Sequence, residues 1–295
     1  MPTAQLGDRA AILIDGPDAE HFLQNILTVD LDRLEPGEAR PGALLSPQGK
    51  ILFDFLISCR GESGFLLDCR ADAAGDFMRR LTLYRLRAKA EISVQDHLVV
   101  AARWQDDSAS SHADSGSSQP DSSWLADRRF PDGAGVLRRY GEAVAADASP
   151  DDFTRLRIAH GVAEAGADFA AGDAFPHDAL MDENGGVGFH KGCYVGQEVV
   201  SRMQHRGTAR RRVMIGRGDA GLPESGTAVL AGERPIGALG SVAGRDAIAI
   251  VRIDRVKDAL DGGLPVTAGG VALSLSVPAW ASYRLPEAPA AADDA

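Results

Sequence analysis

The run Lys191-Gly-Cys-Tyr-Val-Gly-Gln-Glu198 puts an ammonium, a thiol, a phenol and a carboxylate within eight residues. The reactive form of cysteine is the thiolate, and a neighbouring cation favours it. Lys191 stands two positions from Cys193 and would supply that charge. Gly192 between them leaves the backbone free to turn. A thiolate there could ligate an iron–sulfur cluster or form a mixed disulfide with a partner. A buried structural thiol beside a tight turn is the competing reading of the same residues. One cysteine cannot hold a cluster alone, so a ligand role requires further ligands from a partner or a second chain. Gln197 and Glu198 either orient the Cys193 loop or begin the next helix, where an early acid suits the positive end of the dipole. Cys59 and Cys69 lie in or just after apolar, strand-like runs and read as structural thiols. No CxxC spacing is present, so a self-contained metal site is not expected.

These groups need a scaffold, and 295 residues suffice for two domains. The net charge of −11 disfavours a dedicated nucleic-acid binder. There is no apolar run of the roughly 20 residues a membrane helix needs, and no secretory signal is seen at the N-terminus. Three cysteines do not make a disulfide framework, and a reducing cytoplasm is the expected compartment. Apolar spacing predicts strands at Ala11–Asp15, Ala43–Leu45, Ile51–Cys59, Phe65–Asp68, Ala90–Val94, His97–Trp104 and Gly135–Tyr140. Helices are predicted at Ala19–Leu27 with Asp18 as N-cap, and at Ala73–Leu86, Asp151–His160 and Val195–Met203. Residues 106–123 are rich in Ser, Asp and Gly and read as a flexible loop inside a domain. From Arg212 onward, short β-type runs (Val213–Ile215, Thr227–Leu230, Ile248–Ile253, Val271–Val277) between Gly and Pro turns suggest a small barrel or sandwich.

The Lys191–Glu198 run resembles the KGC[FY]xGQE signature of the YgfZ family, folate-binding relatives of the glycine-cleavage T-protein that include mitochondrial iron–sulfur assembly homologues. Other stretches agree in order: Phe22-Leu-Gln-Asn-Ile-Leu-Thr-Val-Asp30, Ser46-Pro-Gln-Gly-Lys50, Tyr84-Arg-Leu-Arg-Ala-Lys89, Arg157-Ile-Ala-His-Gly161, Phe175-Pro176 and His205-Arg-Gly207. Two positions depart from the pattern: Val29 replaces an Asn, and Asp178 replaces a Glu.

The resemblance implies an α+β fold. Two antiparallel α+β subdomains of T-protein type would occupy residues 1–208, a small C-terminal β-barrel residues 209–286, and a disordered tail residues 287–295. It also implies tetrahydrofolate or a derivative in a central channel. Tyr84, Arg87, Asp178, Tyr194, Gln197 and Arg202 are the residues expected to bind it, while Cys193 and Lys191 carry the chemistry. The implied function is an accessory role in iron–sulfur cluster assembly or repair, with a carrier or client protein as partner and a transient cluster shared at Cys193. Two alternatives stand beside it. A tetrahydrofolate-dependent aminomethyltransferase would need the acidic pair of the T-protein; here Gly49-Lys-Ile-Leu-Phe-Asp54 keeps only Asp54, which argues against conventional turnover. A folate-dependent tRNA-modification helper would use the basic cluster Arg202, His205, Arg206, Arg210, Arg211 and Arg212, whose plainer reading is a solvated face.

Overall fold

A computed structural model of the chain describes residues 1–105 and 123–286. The expected flexible loop, save Ser123, and the expected disordered tail lie outside the described residues.

The N-terminal strands are β1 (Thr3–Gln5) and β2 (Arg9–Asp15), followed by helix α1 (Ala19–Gln24). Strands β3 (Glu38–Leu45), β4 (Ile51–Arg60) and β5 (Gly64–Arg70) lead into helix α2 (Ala71–Arg85). Strands β6 (Glu91–Val94), β7 (Val99–Arg103), β8 (Trp124–Asp127) and β9 (Leu137–Gly141) follow. Next come helices α3 (Pro150–His160) and α4 (Gln197–Arg206), separated by a long irregular segment. Strands β10 (Arg211–Gly218), β11 (Ala228–Ala231), β12 (Arg234–Ala243) and β13 (Asp246–Arg252) precede helix α5 (Ile253–Asp261) and the final strands β14 (Val266–Ala268) and β15 (Val271–Ser276).

These elements form two compact units. The first comprises Met1–Phe153, Ala171–Pro176 and Met181–Arg202; the second comprises Thr154–Ala170, His177–Leu180 and Met203–Ala295. The anticipated boundary at 208/209 falls between α4 and β10, and the second unit also draws in the two earlier segments.

The first unit is built on a nine-stranded sheet of order β1-β7-β9-β8-β3-β4-β5-β2-β6. Neighbours are antiparallel except β3 and β8, which run parallel from Glu38↔Ala126. The two expected antiparallel halves are therefore joined through one parallel step. Alternation sorts the strand side chains: Ile12 and Ile14, Phe55 and Ile57, and Phe65 and Leu67 enter one apolar core with α1 and α2. Helix α2 contributes Ala74, Phe77 and Leu81 at helical spacing, with Phe77 stacked on Phe53 (4.8 Å) and Phe55 (5.4 Å). Asp18 sits at the N-cap position of α1, but its carboxylate accepts from the Lys89 N–H (2.7 Å) rather than capping the helix.

Asp68 alternates with Leu67 and so faces away from that core, into a buried ionic cluster. It accepts from Arg9 Nε (2.6 Å) and from the Tyr140 hydroxyl (3.2 Å). Arg138, wholly buried, lies 3.4 Å from both Asp68 and Asp127 and over the Phe153 ring. Arg129 closes the cluster on Asp127 at 2.7 Å.

The second unit contains a closed barrel of order β10-β13-β12-β11-β14-β15. Closure leaves no strand edge unpaired. Met214, Val229, Leu239, Ala249, Val251 and Leu273 form its core with Ile253, Val256 and Ala259 of α5. Arg157, buried in the same unit, donates to Asp168 (2.9 Å) and Ser241 Oγ (3.0 Å), tying α3 to β12. No helix among the described residues is long and apolar enough to cross a membrane.

Candidate functional site

Three of the matched sequence stretches meet in the first unit. Gly42 and the buried Val29 pack closely enough that a Cβ on Gly42 would lie 2.9 Å from Val29 Cγ1. The valine that replaces the pattern's Asn therefore serves the apolar core. Thr28 then stitches strand to loop: its hydroxyl donates to Gly186 O (2.6 Å) and accepts from Ala43 N–H (2.9 Å), and its carbonyl accepts from Gly188 N–H (2.8 Å). Gln24 holds the next turn by donating to Asp30 (2.9 Å) and accepting from Leu31 N–H (2.9 Å).

Lys191 is drawn into this turn. Its ammonium donates to Leu27 O (2.8 Å) and Val29 O (2.6 Å) and lies 5.5 Å from the Tyr194 ring centre. Burial pulls its pKa down to about 8, against the opposing pull of Asp30 and Asp32. The charge expected to face Cys193 is thus engaged with backbone carbonyls, and Lys191 acts as a pin for the loop.

The far end of the loop rests on the Ser46–Lys50 hairpin. The hairpin closes by Ser46 N–H to Lys50 O and Gly49 N–H to Ser46 O, both 2.8 Å. Gly196 has φ +80, and a Cβ there would stand 2.5 Å from Ser46 O. Both the left-handed backbone and the close approach require glycine. Gly196→Ala is expected to lower the unfolding free energy by about 1–3 kcal/mol and to loosen the Cys193 loop. Urea unfolding and hydrogen exchange of residues 191–198 check this; unchanged protection would contradict it.

Between these anchors Gly192 and Cys193 are exposed. The other thiols are withdrawn: burial raises Cys59, and burial pushes Cys69 up to about 12. Tyr194 is buried, its hydroxyl has no hydrogen-bond partner among the described residues, and burial raises its pKa. Gln197 is half-buried at the start of α4, and Arg202 is an exposed cation 3.9 Å from Glu198. No cluster of three or more His, Cys, Asp or Glu able to hold a metal occurs among the described residues.

The remaining predicted binding residues have other settings. Tyr84 packs against the first unit's core at the end of α2, and Arg87 just beyond it is exposed. Asp178, in the second unit, is buried 3.4 Å from Arg211. There Arg212 donates to His177 O (2.9 Å) and lies over the Tyr283 ring, and Arg210 is 3.9 Å from Asp254. The supposed basic face is thus partly internal. Sequence reasoning missed Thr28, whose role rests on the backbone of a loop distant in sequence, and Gln24, whose amide bridges the Asp30 carboxylate and the Leu31 N–H.

Residues 7–106 match the GCVT N-terminal domain, and residues 210–283 match the CAF17 C-terminal β-barrel domain. The chain is 31% identical over 242 residues to the mitochondrial iron–sulfur cluster assembly factor IBA57 homolog of Chaetomium globosum, covering 72% of this chain and 55% of the relative. It is 32% identical over 221 residues to that of Pyricularia oryzae, again covering 55% of the relative. The chain thus spans about half the length of these fungal relatives. Human IBA57 is 29% identical over 313 residues, covering 94% of this chain and 84% of the relative. Among solved structures, the glycine cleavage system aminomethyltransferase T from Bartonella henselae matches with TM-score 0.68 and 17% identity over 97% of this chain and 87% of its own, which establishes the T-protein-like fold. The relatives correct one expectation: they are named mitochondrial, which overturns the cytoplasmic assignment. Together, the two domain matches and the fold give the chain a T-protein-type N-terminal region and a CAF17-type barrel, and along most of its length its sequence is similar to that of human IBA57.

Proposed function

We propose that the chain is a tetrahydrofolate-binding accessory factor in iron–sulfur cluster assembly or repair, with the mitochondrion as the compartment its relatives point to. Cys193 is the thiol it shares with a cluster carrier or client. The observation that carries this reading is the contrast among the three thiols: Cys193 alone is exposed, on a loop pinned by Lys191 at one end and Gly196 at the other. An exposed, fixed thiol without neighbouring ligands suits a site completed by a second protein, where the cluster is cargo.

Folate is supported by the fold and by the Tyr194 phenol, a buried polar group left for a ligand to satisfy. Titration with tetrahydrofolate, followed by ligand fluorescence, tests it. Saturable binding is expected, weakened about fivefold by Tyr194→Phe, the worth of one neutral hydrogen bond. Stability should be unchanged, because that oxygen bonds nothing else among the described residues. No saturable binding would remove folate from the reading. The aminomethyltransferase alternative is disfavoured by Phe53, which sits in the Phe77 stack where the acidic pair would begin. An aminomethyl assay with a lipoyl-carrier substrate in which Asp54→Asn abolished turnover would reverse that ranking. The tRNA-helper alternative is disfavoured by the inward ties of Arg211 and Arg212.

A further inference from the structure

The end of α2 displays apolar surface in a way that its local chemistry does not require. Leu83 is 70% exposed and Leu86 is 86% exposed. Leu86 also has φ +47, a left-handed value that L side chains rarely adopt. Glycine, which lacks a Cβ, takes up positive φ without that penalty. A glycine or a polar residue at this exposed end would therefore avoid either the strain or the exposed hydrocarbon, and leucine avoids neither.

The turn that carries Leu86 is fixed. Ala88 N–H donates to Arg85 O (2.8 Å), and the Arg85 guanidinium donates to Ala90 O (3.1 Å). Lys89 is clamped by the Asp18 carboxylate on its N–H (2.7 Å) and by Asp18 N–H on its carbonyl (3.3 Å). Leu86 is consequently a preformed knob. Around it, the stretch Arg79-Arg-Leu-Thr-Leu-Tyr-Arg-Leu-Arg-Ala-Lys89 carries five cations and no acid, in a chain of net charge −11. Arg79 pairs with Asp76 and Arg85 turns inward, but Arg80, Arg87 and Lys89 are exposed and form no ion pair among the described residues.

We infer that this Leu83–Leu86 ridge is the docking surface for an acidic partner protein, whose apolar pocket receives Leu86 and whose acidic rim meets Arg80, Arg87 and Lys89. Charge complementarity and rigid apolar display are the marks of a protein partner. A nucleic acid offers no pocket for a leucine knob, and a fixed turn presenting one leucine suits a shaped protein pocket rather than a fluid bilayer. Resting on the proposed function, the partner is the iron–sulfur carrier that Cys193 serves.

The test uses the full chain and the purified, cluster-loaded iron–sulfur carrier of the same organism in a calorimetric titration. Leu86→Gly removes the knob and relieves the left-handed strain, so the variant should be at least as stable as the parent by thermal melting. It should bind the carrier at least tenfold more weakly while tetrahydrofolate binding is unchanged. Arg80→Glu should weaken binding similarly, and raising salt from about 0.05 M to about 0.5 M should weaken the parent complex. Undiminished binding by Leu86→Gly overturns the ridge and leaves the carrier reading intact. No binding by the parent chain overturns the carrier reading and this inference with it. Knob-dependent binding to phosphatidylglycerol vesicles in place of the carrier also overturns it, in favour of a membrane.

Discussion

Asp127→Asn is expected to lower the unfolding free energy by about 3–5 kcal/mol, the cost of removing one partner from a buried ion pair. Asp127 is fully buried in the first unit. Burial alone would raise its pKa, but Arg129 and Arg138 outweigh that and hold it below the usual carboxylate range. The variant leaves both guanidinium groups with one buried counter-charge fewer. Arg138 suffers most, since its nitrogens make no hydrogen bond among the described residues and depend on the Asp68 and Asp127 charges. Urea unfolding followed by fluorescence measures the loss, and a change below about 1 kcal/mol would show that water reaches the cluster. The pH dependence has a definite sign. Because the folded pKa is depressed, the contribution is fully present above the unfolded value near about 4 and is lost as pH falls through the folded one. The parent should therefore lose stability in acid more steeply than Asp127→Asn.

Cys193→Ala is expected to leave folding and tetrahydrofolate binding intact and to abolish complementation of a cluster-maintenance defect. The side chain is exposed, so its loss removes little packing. Cys69→Ala should behave oppositely: it empties a buried core position and lowers stability while leaving the exposed thiol in place. Full complementation by Cys193→Ala, at equal protein level, would remove the thiol from the mechanism. The pair separates a chemical role from a structural one, which a single variant cannot do.

Much of the N-terminal architecture was legible because its signals are local. Alternation at Ile12/Ile14 and Phe55/Ile57, and helical spacing at Phe77 and Leu81, mark their faces without reference to distant residues. The barrel was less legible. Strand β12 reads as a turn because it contains Pro235, Gly237 and Gly240, yet those glycines are needed for close approach; a Cβ on Gly240 would lie 2.5 Å from Asp168 Oδ1. Helix α5 is not anticipated, since the predicted β-type run ends at its first residue, although Ile253, Val256 and Ala259 carry helical spacing. In the site, residue type alone singles out Cys193, which the fold leaves exposed, and Tyr194, which it buries, but it misdirects Lys191. Two positions of separation suggested that its charge reaches the thiol; the fold sends it to the carbonyls of Leu27 and Val29 instead. Spacing along a chain does not reveal which way a four-carbon stem points.

The interleaving of the two units constrains how the chain is made. The first unit is not complete until Arg202 has been synthesised, and its own sequence is interrupted by Thr154–Ala170 and His177–Leu180, which belong to the second. Those segments emerge well before the barrel strands that will receive them, so Arg157 and Asp168 wait for Ser241. The N-terminal unit therefore closes only once Arg202 has emerged, with those two segments held out of its core until the barrel strands follow. A barrel expressed from residue 209 would lack the Arg157–Asp168 tie, and a nascent chain stalled near residue 200 would carry that ion pair without the Ser241 contacts that β12 supplies.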